Sequence, residues 1–169
     1  MPAAATPWTR QNLLDELTAL GIAWEMLEHP PVRSVEAARE HWATFPGLQV
    51  KNLLLKDAGR RLWLVVLPAE APGDLKALPA RIGSKRLSFA GPADLAATLA
   101  VEPGSVTPLA VVNDHGGRVS VVLDRSLAGE ARIGVHPLEN TATIALAGTD
   151  VVRFLVHHRH QPAVVALAG

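Results

Sequence analysis

The chain predicts a single α+β domain, on three observations. Short apolar runs of strand length are paired across turn-rich spacers at hairpin distance, and capped amphipathic segments of helical period interrupt them. The third is size: 169 residues at 49% hydrophobic content supply one core, whereas two domains would each be marginal. Residues 1–10 read as an N-terminal extension and 11–169 as the domain.

The elements follow in order. Leu13, Leu14, Leu17 and Leu20 recur at helical spacing over residues 9–20, and Gly21 supplies a stop. A short strand is expected at 22–27, then a turn at His29-Pro30-Pro31, then a helix starting near Ser34 as cap. A loop around Pro46-Gly47 leads to a strand beginning at Val50. Runs 53–56 and 62–67 flank Asp57-Ala58-Gly59-Arg60-Arg61, a hairpin spacing. Asp74 starts a helix to Ile82 that Gly83 ends, and Pro92 suits the first turn of another helix reaching residue 100. Runs 109–113 and 118–123 flank Asp114-His115-Gly116-Gly117 as a second hairpin. Strands at 131–136 and 141–147, a helix capped by Thr149 to His157, and a closing strand at 163–167 complete the reading.

Sixteen basic and sixteen acidic side chains cancel, so contact with a nucleic acid must come from a local patch rather than a global field. The lack of cysteine removes disulfides, thiolate zinc sites and a thiol nucleophile. The N-terminus carries no basic start with an apolar core, and no apolar run approaches membrane-spanning length; a soluble cytoplasmic protein with no membrane contact is expected. Walker, Rossmann, Gly-x-Ser-x-Gly and His-Glu-x-x-His patterns are missing, which removes the usual support for NTPase, dehydrogenase, serine hydrolase and zincin readings.

Three stretches concentrate polar chemistry. Lys51 and Asn52 open the run Val50-Lys51-Asn52-Leu53-Leu54-Leu55-Lys56-Asp57, which fits either a solvated strand end or a cation and amide held at the mouth of a pocket. Pro103-Gly104-Ser105-Val106-Thr107-Pro108 fits a plain turn or a loop whose backbone approaches a ligand. In His136-Pro137-Leu138-Glu139-Asn140-Thr141-Ala142-Thr143 the proline holds His136 extended, as a packed imidazole or a pocket group. His157, His158 and His160 form the densest imidazole cluster, but the first two diverge on a helix, so a solvated helix end is expected there rather than a metal site.

Together with His29-Pro30-Pro31-Val32 and Arg86-Leu87-Ser88-Phe89-Ala90, these stretches occur in the order and spacing of one family, from about Gln11 to Leu167. The chain resembles the YbaK/ProX aminoacyl-tRNA deacylases, and among them the free-standing prolyl-tRNA editing proteins that hydrolyse alanyl-tRNA(Pro). Arg33 and Ser34 depart from the aromatic and threonine common in that family. The resemblance implies a mixed, partly closed β-sheet with surrounding helices and trans-editing of mischarged alanyl-tRNA(Pro); no cofactor or metal is expected. The alternatives are a deacylase for cysteinyl-tRNA(Pro) or another small aminoacyl-tRNA, and a noncatalytic module binding aminoacyl-tRNA or a synthetase.

On this reading Lys51 and Asn52 are catalytic: Lys51 balances the anionic tRNA end or the oxyanion, and Asn52 orients the aminoacyl group or water. Gly104, Ser105, Val106, His136, Asn140 and Thr141 form the substrate pocket, and Lys76, Arg81, Lys85 and Arg86 are weaker candidates for acceptor-stem phosphates. The partners implied are the acceptor end of an aminoacyl-tRNA and, secondarily, prolyl-tRNA synthetase.

Overall fold

Thr9 starts the first helix by a reciprocal cap: its hydroxyl accepts from the Asn12 amide while the Asn12 side chain accepts from the Thr9 amide. In the computed structural model, which describes residues 6–31 and 47–167, this helix is α1 (Arg10–Ala19) and it buries Leu13, Leu14 and Leu17. The expected helix near Ser34, the position of Arg33 and that of Pro46 lie outside the described residues. Gly21 turns the chain at φ +73° into β1 (Glu25–Glu28).

The remaining strands are β2 (Leu48–Asp57), β3 (Leu62–Pro68), β4 (Leu87–Phe89), β5 (Val119–Asp124), β6 (Ile133–Val135), β7 (Ala142–Leu146) and β8 (Ala163–Val165). They form one mixed sheet in the order β1-β7-β6-β2-β3-β5-β8, with β4 also paired to β2. The expected hairpin at 53–67 is the antiparallel β2–β3 pair. The α+β single domain is therefore what the chain forms.

Helices α2 (Leu78–Ile82), α3 (Pro92–Thr98), α4 (Arg125–Ala128) and α5 (Gly148–His157) cover the sheet. The larger core lies on one face, where Leu13, Leu17, Leu64, Leu99, Leu109, Leu123, Leu127 and Phe154 are fully enclosed. Each such side chain contributes roughly 1.5–3 kcal/mol of apolar burial. A smaller core of Leu55, Trp63, Val65, Leu67, Leu78, Leu87 and Val122 occupies the opposite face.

Four local expectations need correction. Residues 108–113 are not a strand: Thr107 caps a 3-10 helix (Pro108–Asn113), because β5 is already paired in parallel on one side to β3 and on the other to β8. The helix expected from Asp74 begins only at Leu78; Asp74 instead closes a turn, accepting from the Lys76 amide through its side chain, and Pro79 fits only a first helical turn. The last helix is capped at Ala147 rather than Thr149, with no side-chain cap bond. The short strand β4 and helix α4 were not expected at all.

Candidate functional site

Side chains alternate along a strand, so each β2 residue is assigned to a face by its neighbours. Val50 and Leu54 belong to the larger core, Leu53 and Leu55 to the smaller. Lys51 therefore stands on the face of the smaller core, where its ammonium donates to the carbonyl of Ala71. A Cβ placed on Gly73 would lie 3.6 Å from Lys51 Nζ, so the glycine keeps the loop close over the amine. Gln49, two residues earlier, shares this face, and its Nε2 is buried without a hydrogen-bond partner.

The neighbouring strand places the histidine. β2 and β6 pair in parallel, Leu48 with Ile133 and Gln49 with Gly134; Lys51 and His136 each follow the last pair by two residues. Ile133 and Val135 turn toward the larger core, which puts Gly134 and His136 on the Lys51 side. In β7, Ile144 and Leu146 face the larger core, leaving Thr143 and Ala145 on the Lys51 side. Gly134 and Ala145 are partners in the β6–β7 ladder, so a floor of two small residues lies among Lys51, Gln49, His136 and Thr143.

Hydrogen bonds fix the imidazoles around that floor. His136 Nδ1 donates to the carbonyl of Ala142 at 2.9 Å, which leaves Nε2 as the ring's acceptor nitrogen. Burial pushes its pKa below the ordinary histidine value and outweighs the opposing hydrogen bond to the Ala142 carbonyl, with the nearby His29 adding a smaller push in the same direction. His29, just past β1, donates from Nδ1 to Pro30 O at 2.9 Å and accepts at Nε2 from the Thr143 hydroxyl at 2.8 Å. The two rings lie 6.3 Å apart.

Asn52 goes the other way. Its side chain points to the larger-core face, where Oδ1 is buried without a partner. Its backbone occupies a gap: Leu48 N–H donates to Arg132 C=O and Leu54 C=O accepts from Ala90 N–H, so even-numbered residues address the edge away from β3. β6 pairs with that edge through Gln49, and β4 takes it up from Leu55. Asn52 falls between them.

Of the other expected site residues, Gly104 and Asn140 come together. Gly104 sits at φ +93°, and a Cβ there would meet Asn140 Nδ2 at 3.5 Å. The Thr141 carbonyl accepts from the His29 amide at 2.9 Å, while its hydroxyl reaches Glu139 at 3.5 Å. Glu139 also pairs with Arg10, which binds Glu28 as well; α1 thus anchors both β1 and the β6–β7 connection. Ser105 is buried and its amide is committed to the Glu102 carbonyl at 3.0 Å. Val106 packs on the larger core, away from the Lys51 face.

Lys76, Arg81, Lys85 and Arg86 are all exposed. They lie on the segment whose Leu78 and Leu87 cover the Lys51 face. Gln49, His29 and Thr143 were not named as site residues from the sequence, although the last two lie in the motif stretches; strand alternation in β7 and the hydroxyl-to-imidazole pairing are the signals that mark them.

Fold and site together describe an α+β domain with a cation, an amide and two imidazoles on the face that carries Gly134 and Ala145. Residues 29–154 match the aminoacyl-tRNA editing domain, and the chain belongs to that family. It is 37% identical over 167 residues to a prolyl-tRNA synthetase associated domain-containing protein 1 of Danio rerio, covering 97% of this chain and 91% of the relative. It is likewise 37% identical over 147 residues to the prolyl-tRNA editing protein ProX of Acetoanaerobium sticklandii, covering 86% and 90%. A crystal structure of a candidate trans-editing enzyme for prolyl tRNA synthetase shares the fold at a TM-score of 0.67 and 18% identity, covering 95% of this chain and 99% of that one.

Proposed function

We propose that this protein is a trans-editing deacylase that hydrolyses alanyl-tRNA(Pro) and so protects translation from alanine at proline codons. The observation that carries the reading is the placement of Lys51 and His136 on one face of adjacent parallel strands, over Gly134 and Ala145. Family membership and the ProX relative support the reaction class.

In the proposed reaction water adds to the ester carbonyl, the bond from the carbonyl carbon to the ribose oxygen breaks, the ribose regains a hydroxyl proton, and alanine leaves with its carboxylate. An activated ester needs positioning and oxyanion stabilisation more than a strong nucleophile. Lys51, with one N–H committed to Ala71, keeps two donors for the oxyanion or the terminal ribose and phosphate. His136, neutral and held through Nδ1, bounds the amino-acid pocket and presents an acceptor to the substrate ammonium or the water. Asn52 contributes through its backbone in the gap between β6 and β4 rather than through its side chain.

Selectivity follows from volume. A floor of glycine and alanine ringed by fixed imidazoles admits a methyl side chain and excludes a pyrrolidine ring, whereas a proline-sized synthetase site cannot strongly reject alanine. In this reading the exposed Lys76, Arg81, Lys85 and Arg86 are the candidates to meet acceptor-stem phosphates. Prolyl-tRNA synthetase is the proposed partner, and the cytoplasm the proposed location; no helix among the described residues is long and apolar enough to cross a membrane.

The test is deacylation of alanyl-, cysteinyl-, seryl- and prolyl-tRNA(Pro) in parallel. Preferred loss of the alanyl ester supports the reading. Preference for cysteinyl or seryl ester replaces it by a sister specificity, and tight binding without hydrolysis at enzyme excess reduces the protein to a binding module.

A further inference from the structure

We propose that Glu16, His157 and His158 form a binding site for a single divalent transition-metal ion of the zinc class, separate from the editing site. Glu16 belongs to α1, His157 ends α5, and His158 is the residue that caps it. Both histidine Nε2 atoms lie 3.7 Å from the same carboxylate oxygen, Oε1 of Glu16. One ligand atom from each of the three groups falls within 4.8 Å of the others.

That spacing suits an ion better than a hydrogen bond. At 3.7 Å the nitrogens are beyond hydrogen-bond reach of the carboxylate, yet a tetrahedral ion with bonds of about 2.0–2.1 Å holds its ligand atoms about 3.4 Å apart. Closing the two distances to Glu16 takes a few tenths of an ångström, and the partly exposed His157 ring is free to turn inward to bring the ligand atoms, all within 4.8 Å of one another, onto one ion. His158 Nε2 adds an independent sign: it is buried and makes no hydrogen bond, a costly state for a polar atom. Its ring is held by Phe154 at 4.5 Å and Trp8 at 5.7 Å between centroids, so the orphan nitrogen is fixed in its direction.

Two neighbouring residues on a regular helix point about 100° apart, which is why the sequence argues against a joint site. The helix ends here, however: His158 has φ −93° and ψ 24°, and the departure from helical geometry lets its ring stand edge-on to His157 at 5.0 Å. His160 is not part of the set, since its Nε2 is bonded to Asp114 at 2.9 Å. Two imidazoles and one carboxylate suit zinc and its neighbours, while magnesium and calcium require oxygen ligands. His157 is 52% exposed, so the fourth position opens to solvent and to the adjoining cavity of about 400 Å³ lined by Asp114, His115 and His160. Bound metal would clamp the first helix to the end of the last.

The experiment is isothermal titration of the tag-free, chelator-treated full chain with zinc chloride, with thermal unfolding measured alongside. One equivalent is expected to bind and to raise Tm, while Mg²⁺ in its place gives neither heat nor shift. Glu16→Gln and His157→Ala, both at partly exposed positions, should each weaken zinc binding at least about tenfold. They should leave deacylation of aminoacyl-tRNA unchanged. His115→Ala, a cavity histidine outside the set, should bind as the parent does. No stoichiometric uptake by the parent, equal uptake of Mg²⁺, undiminished uptake by Glu16→Gln and His157→Ala, or loss with His115→Ala would each overturn the site.

Discussion

Lys51 and His136 share one face of the sheet, each two positions beyond the last paired residues of their parallel strands, Gln49 and Gly134. The loop at Ala71 and Gly73 closes over the amine, and the Ala142 carbonyl holds the imidazole. A cation and a neutral ring are thereby each held by a backbone carbonyl on the same face of the sheet.

Lys51→Ala should lower kcat/KM for alanyl-tRNA(Pro) roughly 100-fold or more while the unfolding midpoint moves little, since the side chain is only partly buried. Lys51→Arg should recover only part of the activity, because a planar fork cannot reproduce a point donor under Gly73. Steady-state kinetics with a denaturation control decides the matter; full activity in Lys51→Ala would remove the amine from the reaction.

His136→Ala should relax selectivity, raising hydrolysis of prolyl-tRNA(Pro) relative to alanyl-tRNA(Pro) as the pocket wall recedes. In the parent, the His136 imidazole should titrate by NMR below the ordinary histidine value of 6.5. A depressed folded pKa means stability that is complete above 6.5 and lost as pH falls through the folded value. A titration midpoint above 6.5 would contradict the burial that gives the ring its neutral form.

Asp57 predicts a different pH response. Burial opposes its charge, but donors from Arg61, Trp63, Lys85 and Gly59 outweigh that and hold its pKa below the usual 3.8. The stabilisation is therefore present above pH 3.8 and lost as the pH falls through the folded value. Asp57→Asn should lower Tm at pH 7 and converge with the parent in acid; a Tm difference that persists unchanged into acid would show that charge is not the cause.

Two glycines should fail for different reasons. At Gly148 a Cβ would sit 1.8 Å from the Leu127 carbonyl oxygen, so Gly148→Ala must separate α4 from α5, at a cost of about 3 kcal/mol or more. At Gly104 the obstacle is the positive φ, and Gly104→Ala should cost about 1–2 kcal/mol with a larger effect on activity through displacement of Asn140. Urea unfolding of both variants tests the ranking.

Much of the fold was legible locally. The helix after Thr9, the 53–67 hairpin, the Gly83 stop and the strands around Pro137 each carry their own signals of period, cap or breaker, and each appears in the structure. The run at 109–113 misled because five apolar residues satisfy a strand or a buried 3-10 turn equally. The choice fell to the edges of β5, both taken by partners distant in sequence. The strand β4 was missed because three residues hold no period of their own; it exists by pairing with β2.

The sequence by itself determined the α+β class, the order of most elements and the polar stretches that contain Lys51, Gly104, His136 and Asn140. Only the tertiary structure decided which of these share a face. Adjacent residues of a strand point in opposite directions, so Lys51 and Asn52 part company. The parallel register of β2 on β6 sets Lys51 and His136 on one face, and the ragged end of α5 turns His157 and His158 together onto Glu16. Local preferences act over a few residues, whereas strand partners and helix docking are chosen by burial across the whole chain, and the chemistry of the site is written in those long-range contacts.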